Sequence, residues 1–143
     1  MKRYSAEAEI ESNVQESVFP KEMVEDLKGL LFVGKLQEEH EFAGHRFLMH
    51  TLTEGEILRV GQLCQPYKGT SVELNARRLY TIAASIESVD GEPMLKSYKP
   101  EPDPIYEKGE EVKMWYPATI AYLYSKYIDM ETSATEVANA LKK

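Results

Sequence analysis

The chain has 143 residues, of which 43% are hydrophobic and 29% charged, so it can form one modest domain with its own core plus arms or tails. The formal net charge of -7 and the lack of any Lys/Arg cluster disfavour nucleic-acid binding, which usually needs a concentrated basic face. No run approaches the roughly 20 apolar residues that span a bilayer, and the first residues lack the apolar core of a signal peptide. We therefore expect a cytoplasmic protein that binds neither nucleic acid nor membrane.

Residues 1–29 are predicted to form an N-terminal arm and a short helix. Residues 1–18 alternate loosely between apolar and polar side chains, which fits an edge strand or a segment that a partner orders. Pro20 suits the first turn of the helix, and Gly29 suits its end.

Residues 30–91 are predicted to form a core of a β-hairpin and helices. The strands cover residues 31–42 and 45–52, and a two-residue Ala43-Gly44 turn places Phe42 opposite His45 and His40 opposite Phe47. The run Thr53-Glu-Gly-Glu56 has the form of a capping box and predicts a helix that ends near Pro66.

The longest regular pattern predicts a second helix over residues 71–89. Its apolar side chains recur at the 3.6-residue period from Val72 to Val89, and Asp90-Gly91 follows as a turn. We expect the hairpin to pack against this helix, which makes the fold class α+β.

Residues 92–111 are predicted to be an extended, partly stiff linker, because prolines and acidic residues dominate them. Residues 112–143 are predicted to form C-terminal helices. The first has Pro117 in its first turn, and the second begins near Ser133.

The three histidines, His40, His45 and His50, are spaced by five residues and raise the question of a metal site. Side chains alternate between the faces of a strand, so His45 and His50 should point in opposite directions. We therefore predict half-exposed histidines and no metal site.

No catalytic motif is recognisable. The run from Gly29 to Lys35 matches a phosphate-binding loop up to its lysine, but Leu36 stands where a Ser or Thr belongs. The lone Cys64 cannot form an internal disulfide and is predicted to be a buried small hydrophobe rather than a nucleophile. We expect no cofactor and no enzymatic activity, with a small enzyme as the minor alternative.

The aromatic side chains of the C-terminal segment are the candidate partner-contact residues: Trp115, Tyr116, Tyr122, Tyr124 and Tyr127. Aromatic residues of this kind bury a large area at small entropic cost and are common anchors in interfaces. The alternative is that this helix packs on the hairpin domain and closes its core. A homo-oligomer would also be compatible with the preceding linker.

Three runs occur in an order that resembles the tail assembly chaperones of long-tailed bacteriophages. The first is Leu31-Phe-Val-Gly-Lys-Leu followed by Gly44-His-Arg-Phe and Met49-His-Thr-Leu-Thr-Glu-Gly-Glu. The second is the predicted helix that ends in Ser88-Val-Asp-Gly-Glu-Pro, and the third is the C-terminal helix from Trp115-Tyr-Pro to Tyr124. The resemblance covers roughly residues 30–128, and none of its runs is catalytic.

This resemblance implies a non-enzymatic role in the host cytoplasm. Such a protein would bind the long tape-measure protein, keep it soluble and help recruit tube subunits. The alternative is a structural protein of the virion, from its head–tail or tail region, whose arms lie against neighbouring subunits.

Overall fold

The computed structural model describes residues 36–94 and 103–140. They form an antiparallel sheet of four strands with four α-helices and one short 3-10 helix, which confirms the α+β class. In chain order the elements are β1 (Gln37–Phe42), β2 (His45–His50), α1 (Glu54–Cys64), the 3-10 helix (Gln65–Tyr67), α2 (Glu73–Ser85), β3 (Ile86–Val89), β4 (Glu92–Pro93), α3 (Pro104–Val112) and α4 (Pro117–Ala140). The predicted arm and short helix of residues 1–29 lie outside the described residues.

The first hairpin has the predicted register. Phe42 pairs with His45 and His40 pairs with Phe47. Ala43 and Gly44 both adopt positive φ angles, 54° and 81°, which is the geometry of the tight turn that matches the twist of the strands.

The second hairpin repeats this turn geometry at Asp90-Gly91 and is tied to the tip of the first hairpin. The Arg46 backbone amide donates to Asp90 Oδ1 at 2.8 Å, and His45 Nδ1 lies 2.7 Å from Asp90 Oδ2. These hydrogen bonds, that from His45 first, lower the pKa of the Asp90 carboxyl. The two turns therefore form one connected end of the sheet.

The prediction of a single helix over residues 71–89 is wrong in its last four residues. Helix α2 ends at Ser85, and Ile86 begins β3, which pairs with β2 in the middle of the sheet. The β-branched Ile86 and Val89 favour a strand, and β2 offers them an unpaired backbone edge. Because Ile86 is also spaced correctly for the buried face of a helix, periodicity alone cannot find this boundary.

The extended linker predicted over residues 92–111 is wrong in its second half, where α3 forms. Asp103 caps this helix by accepting from the Tyr106 amide, and Pro104 occupies its first position, where a missing amide hydrogen costs nothing. Arg59 of α1 forms a two-point ion pair with the same carboxylate and lowers the pKa of Asp103. The ion pair of Arg59 with the capping residue Asp103 therefore holds the start of α3 against α1.

The C-terminal segment forms one helix rather than two. Pro117 opens α4 as predicted, but the helix continues through Ser133 to Ala140. Its fully buried positions, Leu123, Tyr127, Met130 and Val137, keep helical spacing across the predicted break, so burial holds the two halves in line. In the described part of the chain, no helix is both long and apolar enough to cross a membrane.

The core is formed by side chains of the sheet and of all four helices, and the other three helices pack around α2. Gly109 of α3 is buried where α3 crosses α2. A Cβ atom at this position would lie 2.9 Å from Tyr80 Cε1, which is closer than packed carbon atoms approach. Tyr80 is itself buried, so its ring has little freedom to move away. The absence of a side chain at Gly109 therefore sets the distance between these helices.

We predict opposite effects for the same substitution at two helical glycines. Gly109→Ala should lower the free energy of unfolding by about 1–3 kcal/mol, because the added methyl group forces α2 and α3 apart. Gly61→Ala in α1, where no atom lies within 4 Å of the added Cβ, should raise it by about 0.5–1 kcal/mol through helix propensity. Urea unfolding of both variants measures this. A stabilising Gly109→Ala would show that the two helices do not pack as described.

Candidate functional site

Of the five candidate contact residues, the structure leaves only Tyr116 well exposed. Its side chain is 75% accessible, whereas Tyr127 is buried. Trp115, Tyr122 and Tyr124 are partly buried and pack against the core. Four of the five candidate aromatic side chains therefore contact the core of the chain itself.

Two aromatic pairs hold the start of α4 on the first hairpin. Tyr122 stacks on Phe42 with 4.5 Å between ring centroids, and Trp115 meets Phe47 edge to face at 5.7 Å. Such pairs contribute about 0.5–1.5 kcal/mol beyond the area they bury. They therefore fix the position of α4 relative to the sheet.

A groove of about 380 Å³ lies between α2 and the beginning of α4. Leu79, Trp115 and Ile120 supply its apolar part and also pack on the core, so this part of the groove is rigid. The remaining lining residues are small, polar or cationic: Asn75, Arg78, Lys113, Pro117, Ala118 and Ala121.

Large exposed apolar side chains adjoin the groove in sequence. Met114 is 85% accessible and, like Tyr116, flanks Trp115. Leu74 is 53% accessible and lies one helical turn before Arg78, on the same side of α2. A partly apolar groove with exposed apolar side chains nearby in the chain is a common mark of a protein-binding surface. We call these three exposed residues, each of which is next to a lining residue in the sequence, the rim of the groove.

The two cationic residues of the groove have different surroundings. Lys113 Nζ donates to Glu110 Oε1 at 2.8 Å, and this hydrogen bond raises the pKa of Lys113. Arg78 lies over the Tyr124 ring, with its guanidinium carbon 5.9 Å from the ring centroid. The Nε atom of Arg78 is buried and has no hydrogen-bond partner. A buried donor left in this state costs about 1–3 kcal/mol.

The histidines do not come together. His45 is exposed and pairs with Asp90, while His40 Nε2 lies 3.4 Å from Met130 Sδ. His50 is only 3% accessible, so the prediction of half-exposed histidines is wrong for this residue. Its Nδ1–H donates to the Thr51 carbonyl at 2.7 Å.

The sequence could not reveal the burial of His50, because distant segments cause it. Its Nε2 lies 3.9 Å from Glu56 of α1 and 4.0 Å from Glu87 of β3. Across the described ranges, no group of three or more His, Cys, Asp or Glu side chains is arranged to hold a metal ion.

Two further clefts include acidic residues in their lining, whereas the groove includes none. One of about 510 Å³ is lined mainly by polar residues and by Cys64, which is buried as predicted. Burial raises the pKa of this thiol, which is the opposite of what activates a nucleophile. The other, of about 500 Å³, contains the Arg59–Asp103 ion pair. The groove differs from both clefts in that Leu79, Trp115 and Ile120 line it together with two cations, and we take it as the candidate binding site.

Comparison of the chain with protein-family models, with curated proteins and with solved structures found no match. The role of the groove must therefore be inferred from the residues that line it. Sequence reasoning found Trp115 and Tyr116 but missed Leu74 and Arg78, which lie on α2, far away in the chain. A leucine in the first turn that falls away from the predicted apolar face of the helix was an available signal.

We predict that the adjacent residues Trp115 and Tyr116 differ in their effect on stability. Trp115→Ala should lower the free energy of unfolding by about 2–3 kcal/mol, because the ring packs on Phe47. Tyr116→Ala should change it by less than about 0.5 kcal/mol, because the side chain is exposed. Thermal or urea unfolding checks both values. Equal losses would contradict the assignment of Trp115 to the core and of Tyr116 to the rim.

Proposed function

We propose that this protein is a non-enzymatic assembly chaperone of long-tailed bacteriophage tails. In this role it binds amphipathic segments of the tape-measure protein, of tube subunits or of both in the host cytoplasm. The observation that carries the proposal is the groove between α2 and α4, with the exposed Leu74, Met114 and Tyr116 at its rim. We name the partner from the resemblance of three sequence runs, in their order along the chain, to this group of proteins.

The physical properties of the groove suit a protein that holds long amphipathic helices. Its apolar part is rigid because Trp115 and Ile120 also pack on the core, so little ordering entropy is lost on binding. Its rim is exposed and apolar, so it can cover the apolar face of a partner helix. The net charge of -7 keeps the chaperone and its complex soluble.

A structural protein of the virion is the second candidate function, and one observation favours it. Ile57 and Leu58 of α1 are 46% and 61% accessible and form an apolar pair that does not line the groove. A subunit between two neighbours in a particle needs two such surfaces. The two candidates therefore differ in whether the α1 pair is used.

We predict that changes at the rim of the groove weaken partner binding and that a matched change elsewhere does not. The double variant Leu74→Ser/Tyr116→Ser should bind the tape-measure protein of the same genome at least about tenfold more weakly. The control Leu58→Ser removes an equally exposed leucine from α1 and should bind normally. Co-expression with tape-measure fragments, followed by measurement of the soluble complex, tests this. Normal binding by the double variant would refute the groove as the binding site.

Mass spectrometry of purified mature particles separates the two candidate functions. A chaperone should be absent from particles and recovered with the tape-measure protein in infected-cell extracts. A fixed copy number beside tail or head proteins would instead identify a building block. If the protein is a building block, both Leu58→Ser and the groove variant should impair particle assembly.

A further inference from the structure

The groove carries positive charge in an acidic chain. Among its nine lining residues, Arg78 and Lys113 are charged and both are cationic, whereas none is acidic. The chain as a whole has a formal charge of -7. Electrostatic complementarity therefore selects a partner that brings negative charge to this place.

Arg78 is the cation that lacks a counter-charge. Lys113 is already paired with Glu110 on its own helix, at 2.8 Å. By contrast, no carboxylate within residues 36–94 and 103–140 forms an ion pair with Arg78, and its Nε has no hydrogen-bond partner. The contact of Arg78 with Tyr124 lies at the outer limit of a cation–π interaction, about 6 Å.

Arg78 is a partly buried cation whose Nε is enclosed by the fold, so a partner carboxylate would pair with its terminal Nη groups. Removing water from a charged group is a large part of the cost of forming an ion pair, and the fold has already removed part of the water around Arg78. The guanidinium group also presents its N–H groups as a planar fork that matches the two oxygens of a carboxylate. An Asp or Glu side chain is therefore a better partner for Arg78 than a neutral polar group.

The walls of the groove determine the form of the partner. All of its lining residues come from α2, from α4 and from the short segment that precedes α4. A strand edge is thus not available there to pair with an extended peptide, and the helix-in-groove mode remains. The rim residues Leu74 and Tyr116 would contact the apolar side chains of such a helix.

We infer that the groove binds an amphipathic helix of a partner protein that carries an Asp or Glu beside its apolar anchors, and that this carboxylate pairs with Arg78. The inference rests on the proposed function in taking the groove as the partner surface. It adds the chemistry by which the partner is recognised. Apolar segments that lack the acid bind more weakly, so the protein discriminates among amphipathic helices.

Trp115 makes the proposal directly measurable. It is the single tryptophan of the chain and lines the groove, so its fluorescence reports when the groove is filled. The probes are three synthetic amphipathic helices rich in Leu and Ala that differ at one position, with Glu, Gln or Lys beside the apolar face. The full-length protein should bind the Glu peptide about tenfold more tightly than the Gln peptide, and the Lys peptide most weakly.

Substitution of Arg78 tests whether this residue is the source of the preference. Arg78→Met keeps the length of the side chain and should bind the Glu and Gln peptides equally, with the Gln affinity nearly unchanged. Arg78→Lys keeps the charge but not the planar fork and should retain part of the preference. Circular dichroism and urea unfolding verify that both variants are folded. The comparison of the three peptides on the unmodified chain does not depend on either variant.

Several outcomes would overturn the proposal. The first is equal affinity for the Glu and Gln peptides, and the second is a preference for Glu that survives Arg78→Met. The third is Trp115 emission that depends on protein concentration in the absence of peptide. That result would mean that a second copy of the chain fills the groove. The synthetic peptides separate this proposal from the proposed function. A Glu preference without tape-measure binding would refute the chaperone role alone, whereas tape-measure binding that is indifferent to Arg78→Met would refute the charge pairing alone.

Discussion

The structure depends on the burial of one continuous stretch, residues 81–86, where α2 passes directly into β3. Each of these residues is buried, so their polar groups need partners inside the protein. The Ile86 amide donates to the Ile82 carbonyl, and Ser85 Oγ donates to the His50 carbonyl at 2.7 Å. Lys108 Nζ of α3 donates to the Ile86 carbonyl at 2.7 Å. Hydrogen bonds at Ser85 and Ile86 thereby join α2, the sheet and α3.

The candidate binding groove is a consequence of this arrangement. The end of α2 is enclosed in the core, whereas its beginning is exposed at Leu74, and Arg78 lines the groove beside the start of α4. Ala118 and Ala121 are too small to fill the space between the two helices. The contact of Trp115 with Phe47 holds the other wall in place. The groove therefore exists before any partner binds, which reduces the entropic cost of binding.

Several polar side chains of the described chain stabilise its helix ends and turns. Glu56 accepts from the Thr53 amide in the capping box, and Asp103 caps α3 while it pairs with Arg59. Asp90 joins the two hairpin turns. Arg78 is different, since its buried Nε is unsatisfied within the described chain.

Features that depend on a few neighbouring residues were predictable from the sequence. The Ala43-Gly44 turn with its register, the capping box at Thr53 and the start of α4 at Pro117 all follow from local hydrogen bonds or from the ring of proline. Local signals were also present for α3, but prolines that open a helix and prolines that break one look alike in isolation.

Tertiary structure alone decided the remainder. Ile86 is a strand residue because β2 supplies backbone partners from a distant part of the chain, and α4 passes through Ser133 without a break because Met130 and Val137 are both buried. The same holds for the groove, whose walls are about forty residues apart in the sequence. A sequence specifies what each residue can bond to nearby, whereas the loss of water around Ile86 or Arg78 depends on which distant segments cover it.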